Sequence, residues 1–171
     1  MANIIETVLA VLSSTPQRWI QLAEALPPEI FHRRPASKEW SAHECLQHVM
    51  DTERTVFPIR VGYILRGEEF PAFYPDEEGM KPKGDLSSLV LAQEFSLLRT
   101  ESIKTLKKVA PDQLKSRAKH QELGMVSLEE MINEWAGHDL IHTMQAERAI
   151  MQIFIAGCGP WSRYFGEHLI A

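Results

Sequence analysis

The hydrophobic positions of the chain predict four long helices. Between Ile4 and Leu26, apolar residues recur three and four positions apart, the spacing that places them on one face of a helix. Pro16 lies inside this stretch and removes one backbone hydrogen bond, so we expect a kink or break near Thr15. Two prolines follow Leu26 and end the first helix.

A second helix is predicted from Ser41 to Arg66. Ser41 and Glu44 have the spacing of a capping box, in which each side chain accepts a hydrogen bond from the other residue's backbone N–H. Gly67 supplies the stop signal. Pro58 is a source of local distortion within the helix.

The apolar face of this second helix also carries polar residues. Its apolar members are Ala42, Cys45, Leu46, Val49, Val56, Phe57 and Ile64. Glu53 and Arg60 fall on the same stripe, so each is expected to have a polar partner inside or at the end of the bundle. His48 lies at the edge of the stripe.

The third helix is predicted to begin at Asp85, which can cap it, and to end near Val109 or Ala110. Its buried face should contain Leu91, Phe95, Leu98, Leu106 and Val109. Residues 67–84 are rich in proline, glycine and charge and form a long loop, either a simple crossover or a cover over a site. Residues 112–126 show no clear period and are predicted to be irregular or extended.

The fourth helix is predicted from Ser127 to Gly157 and opens with a second capping box, Ser127 with Glu130. Its apolar stripe contains Leu128, Met131, Ile132, Trp135, Ala146, Ala149, Ile150 and Ile153. His138 and His142 lie among these residues, so both imidazoles should face the interior. The aromatic tail after Gly157 is expected to pack over the bundle or at a dimer contact.

Length and composition place these helices in one ordinary globular domain. The chain has 171 residues, 44% of them hydrophobic and 24% charged, which suits a single domain over residues 1–171. We therefore expect an all-α protein, an antiparallel four-helix bundle with long crossover loops.

Net charge and targeting signals limit the classes of partner and the location that we expect for the protein. The formal net charge is −5 and no run of Lys or Arg is present, which disfavours nucleic acid as a partner. The N-terminal residues lack a basic region followed by an apolar core, and no uninterrupted apolar segment approaches about 20 residues, so we expect a cytoplasmic protein that does not enter a membrane. Two cysteines do not make a disulfide framework.

His138 and His142 are the strongest chemical signal in the chain. Residues four apart are neighbours on a helix surface, and two such imidazoles can bind one metal ion. The pair is a weak signal alone, because the same spacing arises by chance in a chain with seven histidines. The alternative is that both rings are core residues that form hydrogen bonds with polar side chains.

Three segments resemble the DinB/YfiT-like superfamily of four-helix-bundle proteins, and its DinB-like branch in particular. They are the helix entry at residues 34–44, the segment His48–Arg54 and the segment His138–His142. The segments occur in the family's order and approximate spacing, so the resemblance covers nearly the whole chain. It implies a divalent metal held by His48 from the second helix and by His138 and His142 from the fourth.

The resemblance also implies a range of activities. Some relatives transfer low-molecular-weight thiols such as bacillithiol, mycothiol or glutathione to electrophiles, and others are regarded as metal-dependent hydrolases. Three histidine ligands leave a coordination position open for a thiol or water, as in catalytic zinc sites. Zinc, nickel, iron, cobalt and manganese all accept such ligands, so the sequence does not identify the metal. The alternative is a non-catalytic metal- or ligand-binding, stress-related protein, and we expect a homodimer.

Acidic residues near the histidines are candidates for supporting roles. Asp51 follows His48 by three residues and Glu134 precedes His138 by four, so either could orient a ligand imidazole or accept a proton. Cys45 is expected to be a buried core residue rather than a ligand. The remaining histidines, His32, His43, His120 and His168, are expected to be exposed and unrelated to the site.

Overall fold

The computed structural model describes residues 3–73 and 86–170. Within these ranges the chain forms six α-helices: α1 (Ile4–Ala25), α2 (Pro28–Phe31), α3 (Ala42–Thr55), α4 (Phe57–Arg66), α5 (Ser88–Leu106) and α6 (Leu128–Gly157). A 3-10 helix at Pro111–Lys115 precedes two antiparallel strands, β1 (Arg117–His120) and β2 (Gly124–Ser127). A second 3-10 helix, Gly159–His168, follows α6.

Both predicted capping boxes are present. At the start of α3, Ser41 N–H donates to Glu44 Oε2 over 2.8 Å and Glu44 N–H donates to Ser41 Oγ over 3.2 Å. At the start of α6, Ser127 and Glu130 form the same reciprocal pair. These local hydrogen bonds fix where the two helices that carry the histidines begin.

The predicted second and third helices need correction at their boundaries. The stretch from Ser41 to Arg66 is not one helix, because Val56 breaks it with φ −118° and ψ −73°, and Pro58 lies in the first turn of α4. The third helix begins at Ser88, and Ser87 caps it by accepting a hydrogen bond from the Val90 backbone N–H. Asp85, the predicted cap, lies outside the described residues.

The break expected near Thr15 does not occur, since α1 continues through Pro16. Proline has no N–H, so the Leu12 carbonyl four residues earlier lacks its usual helical donor. Arg99 Nη1 on α5 donates to that carbonyl over 3.1 Å. A side chain from another helix thus satisfies the backbone group that Pro16 leaves without a helical partner.

The hairpin β1–β2 lies in the region that the sequence predicted as irregular or extended. Its register pairs Arg117 with Ser127 and His120 with Gly124. The predicted loop at 67–84 is described only as far as residue 73, and the rest of it lies outside the described residues. Phe70 lies in the described part and is buried. Its backbone N–H donates to the carbonyl of Lys119 in β1 over 3.1 Å.

The predicted four-helix bundle is confirmed: α1 and α3 each pack against both α5 and α6. α1 runs parallel to α6, because Thr15 contacts Asp139 while Arg18 contacts Glu147 further along both helices. α3 and α6 run antiparallel, since Glu53 meets Trp135, earlier in α6 than the histidine partners of His48. The bundle is thus antiparallel at some helix contacts and parallel between α1 and α6, and a parallel pair of neighbouring helices requires a long crossover.

Two apolar clusters fill the bundle, and a polar layer lies between them. One cluster includes Val8, Leu12, Phe57, Leu106, Ile132 and Trp135. The other includes Trp19, Leu46, Met50, Phe95, Ala146 and Ile150. In each long helix the residues between the two clusters are buried and polar, namely Thr15, Thr52, Glu53, Arg99, Asp139 and Thr143.

The tail packs on α6 through backbone carbonyls. Arg148 donates to the carbonyl oxygens of His168 and Leu169 over 3.0 and 2.8 Å. Trp161 and Tyr164 remain about two-thirds exposed, at 66% and 67%. Among the helices in the described ranges, none is long and apolar enough to cross a membrane.

Candidate metal centre

The fold brings His48, His138 and His142 together. His48 projects from α3, and the other two project from successive turns of the antiparallel helix α6. Each histidine offers one ring nitrogen as a ligand atom, and these three nitrogens all lie within 4.8 Å of one another. His48 is buried, and the two histidines of α6 are half-buried. Tertiary packing therefore joins a pair fixed by helical spacing to a third residue 90 positions away.

The rings face one another closely. His48 Nε2 lies 3.0 Å from His138 Nε2, and the ring centroids of His48 and His142 are 4.5 Å apart. Two nitrogens at about 2.0 to 2.1 Å from one ion are separated by about 2.9 Å in octahedral and about 3.4 Å in tetrahedral coordination. The separation of 3.0 Å thus fits two ligands of one ion without rearrangement of the helices.

The tautomer of His142 also fits a ligand role. Its Nδ1 lies 2.9 Å from Gln145 Oε1, one turn further along α6. An amide oxygen only accepts hydrogen bonds, so Nδ1 carries the proton and Nε2 keeps its lone pair. A hydrogen bond to the second ring nitrogen is the usual way in which proteins orient a metal-binding histidine.

Burial keeps the histidine rings neutral. Desolvation, together with the neighbouring His142, lowers the pKa of His48 to about 4. Desolvation and its two histidine neighbours lower the pKa of His138 to about 2. Desolvation also lowers the pKa of His142, although the Gln145 hydrogen bond opposes this. Neutral imidazole is the form that binds metal, so the protein holds all three residues ready at neutral pH.

The three histidines line an open cleft of about 350 Å³. Trp40 stacks on His142 at 5.8 Å and lies 5.0 Å from His48, and Phe57 meets the edge of His138 at 4.9 Å. The polar residues on the walls are Thr52, Arg60, His120, Glu122 and Glu134. The cluster therefore combines a group of nitrogen ligands with an approach wide enough for a small molecule.

The two predicted supporting carboxylates lie in different places. Glu134 lines the cleft, and desolvation raises the pKa of its carboxyl while Arg60 opposes that rise. Asp51 is buried one turn after His48 but does not line the cleft. Cys45 is buried in the apolar core, where desolvation raises the pKa of its thiol to about 12.

The expectation that His120 is exposed and unrelated to the site is wrong. His120 is 5% exposed, lies at the end of β1 and lines the cleft. The expectation for His43 also fails, because this ring is half-buried, stacks on His32 at 3.9 Å and bonds to Ser88 Oγ. His32 and His168 are exposed as expected. Recognising the strand, with alternate residues buried, would have indicated that His120 faces inward.

Arg99 is a buried charged residue that no pattern in the sequence singled out. It is 1% exposed and binds two buried carboxylates, Asp139 and Glu53, at 2.6 and 2.9 Å. Thr15 Oγ1 donates to Asp139 over 2.5 Å and Trp135 Nε1 donates to Glu53 over 3.2 Å. Burial lowers the pKa of Arg99, but the hydrogen bonds and charges of the two carboxylates raise it above its ordinary value. The partner expected for Glu53 is thus Arg99.

The fold and the site together define a class: a four-helix bundle with a three-histidine cluster at the floor of a cleft. A family model described as the DinB superfamily matches residues 12–146. The chain therefore belongs to the DinB superfamily. No curated protein matches it in sequence.

Two solved structures have the same fold. YfiT from Bacillus subtilis, described as a probable metal-dependent hydrolase with an unusual four-helix bundle topology, superposes with a TM-score of 0.72 at 18% identity over 87% of each chain. A DinB-like protein of Bacillus subtilis, YjoA, superposes with a TM-score of 0.58 at 16% identity, over 86% of this chain and 92% of its own. At these identities the comparison concerns the fold.

Proposed function

We propose that this protein is a divalent-metal-dependent enzyme that acts on a small molecule, with the ion held by His48, His138 and His142. The observation that carries the proposal is the convergence of three neutral imidazoles on one point at the floor of an open cleft. The description of YfiT as a probable metal-dependent hydrolase makes hydrolysis the leading reaction. A divalent ion supplies Lewis acidity, which lowers the pKa of a water or thiol bound at its open position.

The residues of the chain have distinct parts in this proposal. The Gln145 amide oxygen holds the His142 ring in the tautomer that leaves Nε2 free. Trp40 and Phe57 pack against the imidazoles and exclude water from their flanks. Glu134 is the proposed proton acceptor, since it lines the cleft and its raised pKa makes it a stronger base than an ordinary carboxylate. Asp51 is proposed to support His48 from the buried side.

A low-molecular-weight thiol is the second candidate nucleophile. The cleft of about 350 Å³ has more room than a water molecule needs, and its aromatic walls suit an organic ligand. Transfer of such a thiol to an electrophile would use the same open position. The alternative to both reactions is a metal- or ligand-binding protein without turnover, and a homodimer stays a prediction.

Metal content tests the first step of this proposal. Protein purified without added metal should contain about one divalent ion per chain, and the His138→Ala His142→Ala variant should contain almost none. The matched control is His32→Ala His43→Ala, which removes two stacked histidines outside the cleft and should keep the metal. Equal metal content in the wild type and the His138→Ala His142→Ala variant would contradict the metal site.

Turnover separates the enzyme from the binding protein. The metal-loaded protein is offered chromogenic esters in one series, and a panel of thiols with a chromogenic electrophile in another. Metal-dependent ester cleavage that is lost on replacing His48 supports the hydrolase, and metal-dependent thiol consumption supports the transferase. Rates equal to those of the His48→Ala variant in both series would leave metal binding without catalysis.

A further inference from the structure

Arg60 from α4 and His120 from β1 both line the cleft, and both bring hydrogen-bond donors to it. Phe70 connects them: the Arg60 guanidinium carbon lies 5.7 Å from the Phe70 ring centroid, and the His120 ring meets the same ring edge-on at 5.2 Å. The Phe70 backbone is bonded to Lys119 and Gln121, on either side of His120. Both donors are therefore held against a buried, anchored aromatic ring.

Within the described part of the chain, Arg60 makes little use of its hydrogen-bond donors. Its one hydrogen bond among the described residues is to the Pro71 carbonyl at 3.5 Å, the outer limit for such a bond. It forms no salt bridge within the described part of the chain, although Glu134 is near enough to influence its pKa. By contrast, the buried Arg99 binds two carboxylates. A half-buried arginine in a cleft, with one long hydrogen bond among the described residues, is suited to a ligand with negatively charged oxygens.

His120 offers a donor of defined identity. Its Nδ1 accepts hydrogen bonds from the backbone N–H groups of Glu122 and Leu123, each over 3.1 Å. Nδ1 is therefore unprotonated, and the neutral ring carries its proton on Nε2. Burial and the neighbouring Arg60 charge lower the pKa of His120, which keeps this form at neutral pH. The ring lines the cleft, so the remaining polar group available to a ligand is the Nε2–H.

We propose that Arg60 and His120 form a subsite for a carboxylate group of the substrate, in the same cleft as the three histidines. This inference rests on the proposed function, because it supposes that the substrate's reacting group lies at the histidine-bound ion. The substrate class is then a small organic acid, or a conjugate with a free carboxylate, whose apolar part contacts Trp40 and Phe57. The carboxylate accepts hydrogen bonds from the guanidinium and from the imidazole Nε2–H.

Simple thiols test the subsite without knowledge of the substrate, because their sulfur binds metal and their other end is variable. Mercaptoacetate, 3-mercaptopropionate and 4-mercaptobutyrate are each compared with the alcohol of the same chain length. Binding to the metal-loaded protein is measured by calorimetry, and to its cobalt form by absorption. At least one of the three acids should bind about tenfold more tightly than its alcohol, the gain expected from charge-assisted hydrogen bonds.

Variants of Arg60 test whether this residue is the source of the tighter binding of the acids. Arg60→Met should remove the preference for the acid and leave the affinity for the alcohol unchanged, and Arg60→Lys should keep part of the preference. The matched control is Arg66→Met, the same change on the same helix at an exposed arginine paired with Glu68, which should keep the full preference. If Arg60→Met does not fold, the comparison of acids with alcohols in the wild type and in Arg60→Lys still decides.

The outcomes separate the two proposals. Acids and alcohols that bind equally, or an acid preference that survives Arg60→Met, would overturn the carboxylate subsite and leave the metal centre standing. Thiols that bind neither the metal-loaded protein nor its cobalt form would overturn the open metal position, and with it the proposed function.

Discussion

Two polar clusters lie inside this bundle, and they differ in how their charges and lone pairs are satisfied. Around Arg99, both guanidinium arms meet carboxylates at 2.6 to 2.9 Å, and Thr15 and Trp135 donate to those carboxylates. Around His138, the ring nitrogens that face inward meet mainly other histidines. The first cluster is closed by the chain itself, whereas the second opens to a cleft.

The difference separates a structural polar cluster from a candidate functional one. A buried ion pair contributes to the arrangement of the helices that it joins, and here it joins α1, α3, α5 and α6. Among the described residues, Glu53 Oε1 and Arg99 Nε are the atoms of this cluster without a hydrogen-bond partner. Histidine nitrogens that face one another in a cleft can share a proton in an N–H···N hydrogen bond, or they can turn their lone pairs to one metal ion. Adjacent residues, Asp139 and His138, belong to the two different clusters.

Breaking the closed cluster should have the largest effect. Arg99→Met leaves two carboxylates buried without a cation, and we expect a loss of about 3 to 5 kcal/mol in the free energy of unfolding. Urea denaturation measures it. The control is Arg54→Met, which removes an exposed ion pair with Glu94 and should cost less than about 1 kcal/mol. A similar cost for both variants would show that the Arg99 cluster is not structurally special.

Completing the open cluster should stabilise the protein. A divalent ion that binds the folded chain alone adds about 2.7 kcal/mol to the free energy of unfolding at a concentration 100 times its Kd. The thermal midpoint should rise on adding zinc and fall again with a chelator. His142→Gln should lose this response, while Arg99→Lys, if it folds, should keep a measurable part of it. An equal rise in wild type and His142→Gln would place the ion elsewhere.

Lowering the pH should reduce the free energy of unfolding of the metal-free protein, because the histidines of the open cluster are buried in their neutral form. The pKa of His48 is its ordinary 6.5 in the unfolded chain and about 4 in the folded chain. Between these two pH values the unfolded chain binds a proton that the folded chain does not bind. The stability that His48 contributes is therefore present above about pH 6.5 and is lost with decreasing pH, with about 2 kcal/mol of it lost between pH 7 and pH 5.

Thermal midpoints across that pH range test this expectation. His48→Gln should have a shallower fall with decreasing pH than the wild type, and the exposed His168→Gln should match the wild type. Part of the slope should remain in His48→Gln, because burial also lowers the pKa values of His138, His142 and His43. Identical slopes in His48→Gln and the wild type would show that His48 takes up its proton as readily folded as unfolded.

The smallest effect concerns the support of one ligand. Gln145→Leu removes the acceptor for His142 Nδ1–H, and we expect metal affinity to fall about tenfold, or about 1.4 kcal/mol. Gln145→Glu keeps an acceptor at that position and should retain most of the affinity. Calorimetric titration with zinc measures both. Unchanged affinity in Gln145→Leu would mean that packing alone orients the ring.

Local signals in the sequence predicted where the two helices that carry the histidines begin. The capping boxes at Ser41 and Ser127 depend on residues three positions apart, so they can be recognised without knowing the fold. The break at Val56 was missed because a proline in the first turn of a helix and a proline that distorts a continuous helix look alike in sequence. The hairpin was missed because its strands have four residues each, too few for a clear alternation.

Helical periodicity is a local property, so the sequence alone places His138 and His142 on one face of a helix. It also shows that Glu53 on an apolar stripe needs a partner. The packing of the helices and the hairpin makes Arg99 that partner, brings His48 to 3.0 Å from His138, and adds His120 to the cleft from a strand. These contacts depend on which helices pack side by side and in which direction, and no spacing along a single helix contains that information.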